Sequence, residues 1–225
     1  MRFLFKTDYR QDLRLFKHGG QVFWYGALLL ALAAAPWLLP DYWVSQLIFV
    51  CIYAIAGIGL MVLVGFTGQV SLGHAAFLAM GAYTEAYLQS HGWPFALSLA
   101  FSALVAGATG IIVGLPALRV KGMYLAIATL AFGFIVEEGV ARAESLTGGN
   151  AGKMLGSLEV FGLPIDSDQR FYYLVLFFLV LVVLGVMNLL RSPTGRAFVA
   201  IRDSEISAQS MGINLARYKT TAFAL

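Results

Sequence analysis

The 225 residues are 60% hydrophobic and 12% charged, with a mean hydropathy of +0.79 and a formal net charge of +3. Soluble domains average about 25% charged residues, so this composition excludes an ordinary soluble domain and points to a polytopic membrane protein. The single Cys51 lies inside an apolar run, which excludes a disulfide framework within the chain.

Residues 1–21 carry Arg2, Lys6, Arg10, Arg14 and Lys17 against Asp8 and Asp12, and hold no long apolar run. They are expected to form a cytoplasmic lead-in. Leu4, Leu13, Leu15 and Phe16 fit a short amphipathic helix on the headgroups, and a frayed basic tail fits equally well. Residues 22–39 form an uncharged run of 18, long enough to cross about 30 Å of hydrocarbon. The alanines at 33–35 resemble a cleavage site, but the mixed-charge lead, Pro36 and the spans that follow favour a retained first helix.

Pro40 and Asp41 make a turn, and residues 42–66 form a second run, with Trp37, Tyr42 and Trp43 placed as interfacial aromatic anchors. A third span is predicted over 70–88, leaving through a loop in which His91 is solvated. The fourth, 95–118, carries Ala103, Gly107, Gly110 and Gly114 as a small-residue edge for close helix contact. The fifth, 122–138, has only 15 uncharged residues before Glu137 and Glu138, and spans if Lys121 reaches back to one interface. A polar external connector over 139–170 precedes a sixth span at 171–190.

Placing the N-terminus inside and letting six spans alternate puts twelve of the 15 Lys and Arg residues on the cytoplasmic side and only Arg142, Lys153 and Arg170 outside. That distribution matches the positive-inside rule. Deleting the fifth span would export Arg191, Arg196, Arg202, Arg217 and Lys219, so the fifth span is retained.

The stretch over 65–83, GFTGQVSLGHAAFLAMGAY, places Gly65, Gly68, Gly73 and Gly81 among the polar side chains of Thr67, Gln69, Ser71 and His74, with Glu85 close behind. Polar atoms at bilayer depth are unfavourable unless partnered, so such a segment faces a cavity or another helix. If 71–87 is one helix, Ser71, His74, Gly81 and Glu85 share a stripe about 80° wide. The plainer reading is close helix packing, with the Ser71 hydroxyl bonded back to its own helix.

Residues 191–219 are too polar to cross a membrane. Pro193 and Gly195 break the preceding helix, Asp203 or Ser204 can cap a second short helix begun by Glu205, Gly212 is placed to end it, and Asn214 can cap the next. Two short helices joined at a bend form a knob suited to docking a soluble partner, or else a connector lying on headgroups.

Two stretches carry a resemblance. GLMVLVGFTGQVSLGHAAFLAMGAY, over 59–83, closely resembles the glycine-rich signature of the permease subunits of branched-chain amino acid ABC importers. GRAFVAIRDSEISAQSMGINLARYK, over 195–219, resembles their cytoplasmic coupling loop, with Glu205, Ala208 and Gly212 as a reduced form of the pattern that docks into the ATPase and Arg202 beside them. The LTGGNAG stretch is similar to the family's external loop, and the basic lead-in and first helix look more like the larger, M-type subunit than the smaller H-type. The family has further helices after this loop, so residues 220–225 are expected to begin a helix that is cut short.

The resemblance implies an all-α transmembrane bundle in the bacterial inner membrane. It also implies an import path for amino acids or small polar solutes, made with a second permease subunit, two ATP-binding subunits and an external substrate-binding protein. The path candidates are Gly65, Gly68, Gln69, Ser71, Gly73, His74, Gly81 and Glu85; the coupling candidates are Arg202, Glu205, Ala208 and Gly212. No cofactor, metal or nucleic acid is expected on this chain, and ATP is used by the partner subunits. LTGGNAGKM fails as a phosphate loop because Thr147 and Met154 stand where glycine and Ser/Thr are required. Two other readings remain: a secondary carrier or channel with a Ser71, His74 and Glu85 relay, and a membrane hydrolase pairing Ser71 with His74 at i and i+3.

Overall fold

The computed structural model describes residues 19–120, 122–153, 155–156, 158–160 and 163–225. The expected basic lead-in over 1–18, with its Leu4, Leu13, Leu15 and Phe16 face, and Lys121 lie outside the described residues.

Without water to bond to, an apolar run must satisfy its backbone internally, and each run here becomes a helix. In chain order these are α1 (Gly19–Leu38), α2 (Asp41–Leu60), α3 (His74–Ser90), α4 (Phe95–Ala117) and α5 (Met123–Arg142). The short α6 (Glu144–Thr147) and a hairpin of β1 (Leu158–Val160) and β2 (Leu163–Ile165) then lead into α7 (Asp168–Arg191). The two strands pair antiparallel, with Leu158 opposite Ile165. After α7 come α8 (Pro193–Asp203), α9 (Glu205–Ser210) and α10 (Leu215–Ala224). The result is an all-α polytopic bundle.

Among the described residues five helices are long and apolar enough to cross a membrane: α1, α2 with its continuation to Phe66, α4, α5 and α7. At 17 residues α3 is shorter and reaches about 25 Å. The outward faces are apolar, with Trp24 73% and Leu104 70% exposed, as lipid-facing surface requires.

One structural expectation changes. Residues 71–87 are not one helix, because 68–73 are irregular and α3 begins only at His74. The cause is local. Met61–Phe66 is π-helical, Thr67 ends it, and Gly68 at φ 68° turns the chain in a conformation that side chains disfavour. Ser71 therefore does not share a helical stripe with His74, Gly81 and Glu85.

Helices in lipid gain little from hydrophobic association, so close packing and satisfied polar groups hold them together. Pro36, inside α1, has no N–H to give the Leu32 carbonyl four residues earlier. The fully buried Tyr172 of α7 supplies that donor through its hydroxyl at 2.8 Å. Tyr173 bonds the Ala33 carbonyl at 2.9 Å and accepts the Trp37 indole N–H at 2.7 Å. Val44, Ile48, Cys51, Val175 and Leu176 pack around this junction of α1, α2 and α7.

A second cluster joins Val62 and Leu63 of the π-helical segment with Ala117, Leu125, Phe198, Ala222 and Phe223. The small-residue edge of α4 finds its partner here. A Cβ on Gly110 would collide with the Phe223 carbonyl, and one on Gly114 would lie 3.2 Å from Thr220 Cα, so α10 rests against the α4 backbone.

Candidate functional site

The irregular segment after Phe66 is held mostly by side chains, since a loop at this depth has no ladder to join. Thr67 donates its hydroxyl to the Leu63 carbonyl at 2.5 Å, and Gln69 donates Nε2 to Thr67 Oγ1 at 3.0 Å. The Leu72 N–H donates to Thr129 Oγ1 of α5 at 3.0 Å. Gly73 lies so close to the Thr129 carbonyl that a Cβ would overlap it. His74 Nε2 lies 3.1 Å from the Ala56 carbonyl of α2, which assigns the ring proton to Nε2.

Gln69 and Ser71 are buried, 3% and 5% exposed, and His74 is half-buried. Gln69 Oε1, Ser71 Oγ and His74 Nδ1 have no hydrogen-bond partner. Ser71 and His74 are thus not bonded to each other, and the nucleophile-to-base contact that a hydrolase needs is missing. Beside this segment, an apolar groove of about 370 Å³ between α3 and α5 is lined by Gly73, Ala76, Ala79, Tyr83, Gly133 and Glu137.

Glu85 belongs to a different cluster. Ser98 donates to its Oε1 at 2.6 Å, Ser102 to its Oε2 at 2.9 Å, and Gln89 to its Oε1 at 3.0 Å. Both serines are buried on α4 at i and i+4, so this carboxylate ties α3 to α4. A Cβ on Gly81 would meet the Ala106 methyl at 3.7 Å, an ordinary contact distance, on the same interface. Glu85 sits eleven residues beyond His74, about 16 Å along α3, which separates it from any relay with Ser71 and His74.

The segment after α7 is capped at every bend. Ser192 accepts the Gly195 N–H with Pro193 at the first helical position, Ser204 accepts the Ser207 N–H, and Asn214 accepts the Arg217 N–H at 3.0 Å. Gly212, at φ 85°, closes α9, and Ala208 is buried beneath it. Ile206 and Met211 project outward, 82% and 80% exposed.

This segment grips the glycine-rich one at two places. Arg202 Nη1 donates to the Gly65 carbonyl at 3.0 Å, and its stem lies 3.1 Å from where a Cβ on Gly68 would stand. Lys219, 4% exposed, donates its ammonium to Glu205 Oε1 at 2.5 Å, while its backbone carbonyl accepts Gln69 Nε2 at 3.5 Å. The structure therefore brings Gly65, Gly68 and Gln69 together with Arg202 and Glu205, and leaves Glu85 apart.

Lys219, Thr129, Ser98 and Ser102 were not singled out from the sequence. The serines carried a usable signal, an i, i+4 polar pair in an uncharged run that a carboxylate on a neighbouring helix could match. Lys219 read as an ordinary basic flank, since nothing in one dimension announces its burial. Among the described residues no group of three His, Cys, Asp or Glu side chains could hold a metal ion.

Comparison with known proteins bears on residues 42–225, which match the family model described as branched-chain amino acid transport system / permease component. The high-affinity branched-chain amino acid transport system permease protein LivM of Escherichia coli (strain K12) is 39% identical over 224 aligned residues, covering 88% of this chain and 53% of that protein. LivM of Salmonella typhimurium (strain LT2) is 38% identical with the same coverage. The chain thus spans about half the length of these relatives. No solved structure matches.

Proposed function

Because the chain belongs to the family of branched-chain amino acid transport permease components, we propose that it serves as a membrane-spanning subunit of an ATP-driven importer for branched-chain or related amino acids. In this reading α8, α9 and α10 face the cytosol, six helices cross the bilayer with α3 as the short one, and the 139–170 connector lies outside. The LivM relatives are named as parts of a high-affinity transport system. A second permease subunit, two ATP-binding subunits and an external binding protein complete it, and ATP is hydrolysed in the partners.

The observation that carries this reading is the double attachment of the coupling segment to the glycine-rich segment, through Arg202 to Gly65 and through Lys219 to Gln69. A partner pressing on Ile206, Met211 and the α9 bend moves the loop that borders the α3 and α5 groove. The path candidates divide accordingly. Ser71 Oγ and His74 Nδ1 are buried polar atoms without a partner that meet cargo when the loop moves, Gln69 ties that loop to residue 219, Gly68 and Gly73 permit close packing, and Gly65 and Gly81 leave room for switching between packings. Glu85 acts as an α3 to α4 clamp.

The test is labelled leucine uptake by the assembled transporter in vesicles. Uptake that requires ATP supports the importer. Uptake that follows a proton gradient without ATP supports a secondary carrier instead.

A further inference from the structure

The importer reading places the power stroke on α9 but does not say how displacement reaches the path. We propose that Lys219 is the positioning residue that transmits it, by linking the Glu205 carboxylate of the coupling segment and the Gln69 carboxamide of the glycine-rich loop on one rigid helix.

Lys219 is unusual among the described charged residues. The side chains of Arg142 and Arg202 are 80% and 42% exposed, whereas that of Lys219 is 5% exposed. A buried ammonium is strongly unfavourable unless it is paired, and a buried ion pair is seldom the most stabilising choice for a core position. Its physical merit is specificity of register, because the ammonium must follow the carboxylate when Glu205 moves.

The rest of α10 converts that constraint into motion elsewhere. Its backbone lies against Gly110 and Gly114 of α4, where no side chain can act as a cushion. Phe223, one turn further, meets the Phe77 ring of α3 edge-on at 6.4 Å. The carbonyl of residue 219 itself holds Gln69, which in turn holds Thr67 at the end of the π-helical segment. A shift of α9 therefore reaches the loop through one residue that bonds at both ends. The Arg202 contact is a parallel tie, but it is solvent-exposed and lies on α8, ahead of the bend.

The proposal rests on the importer reading, and one experiment separates them. The assembled transporter is reconstituted in proteoliposomes, and leucine uptake and ATP hydrolysis are measured together. Lys219→Met is expected to lower uptake per ATP hydrolysed about tenfold while hydrolysis stays within about twofold. Adding Glu205→Gln to Lys219→Met should lower it no further, because the pair acts as a unit. Gln69→Leu, which keeps the ion pair, should show the same split and carries the test if Lys219→Met fails to assemble. Lys219→Arg, which preserves the charge, should recover most of the coupling. A normal uptake-to-hydrolysis ratio in Lys219→Met or in Gln69→Leu overturns the proposal and leaves the importer standing. Absence of ATP-driven uptake by the unaltered transporter overturns both.

Discussion

Arg202 Nη1 donates to the Gly65 carbonyl at 3.0 Å although the two residues are 137 positions apart, and the same guanidinium clasps Asp203 next door at 3.1 Å. That contact fixes where the amphipathic α8 meets the end of the second membrane helix. Arg202→Ala frees the Gly65 carbonyl at a point where water can reach it, so the global loss is small, about 1 kcal/mol or less. The local effect is larger. Hydrogen exchange should accelerate at the amides of Gly68 and Gln69, which bond back to Val64 and Leu63, with α4 and α7 unchanged. Unaltered exchange at both amides would show that the contact holds nothing.

Glycines that look alike in sequence should differ sharply on substitution. Gly73→Ala places a methyl group into the Thr129 carbonyl, and Gly110→Ala places one into that of Phe223. Each forces backbone apart and should destabilise by about 1–3 kcal/mol. Gly185→Ala on α7 meets nothing within 4 Å and should be neutral or slightly stabilising. Thermal unfolding in detergent of the three variants checks the order.

Tyr172→Phe removes the hydroxyl that donates to the Leu32 carbonyl, which Pro36 leaves without a helical partner, and Phe preserves the packing. The expected loss is about 1 kcal/mol. Pro36→Ala supplies an N–H for the same carbonyl, so the double variant should recover part of that loss. A double-mutant cycle in unfolding free energy measures the coupling.

Glu85 offers a direct separation of clamp from path. Glu85→Leu leaves Ser98 and Ser102 with their own-helix acceptors, Phe95 and Ser98 carbonyls, so stability should fall by only about 1–2 kcal/mol. As a clamp, its loss of uptake should track loss of folded protein. A Glu85→Gln variant with normal stability and abolished uptake would assign the carboxylate to the path instead.

Sidedness is open to a labelling test, because the native Cys51 is buried. Ile206→Cys, at an 82% exposed position on α9, should react with a membrane-impermeant thiol reagent only from the cytosol. Gly156→Cys, in the connector between α6 and β1, should react only from outside. Reversed labelling would remove the coupling segment from the reach of any cytosolic ATPase.

Much of this molecule was legible in one dimension. Uncharged runs of about twenty residues admit only helices in lipid, so α1, α2, α4 and α7 follow from hydropathy alone, and α5, with its shorter run, follows from the distribution of Lys and Arg. Ser204, Gly212 and Asn214 also behave as local chemistry dictates, because a cap is settled within a few residues. Glu85 was legible as a polar residue at depth, but not as the partner of two serines on the next helix.

By itself the sequence determined the polytopic helical class, the glycine-rich break and the capped bends after α7, each governed by interactions between near neighbours. Only the tertiary structure decided that the break is an irregular loop entered through a π-helical turn, that the α4 glycines receive α10, and that Glu205 answers a buried Lys219. The reason is physical. Steric limits, capping and backbone satisfaction act over a few residues, whereas pairing of polar groups in a low-dielectric interior depends on which helices become neighbours. No local pattern records that choice.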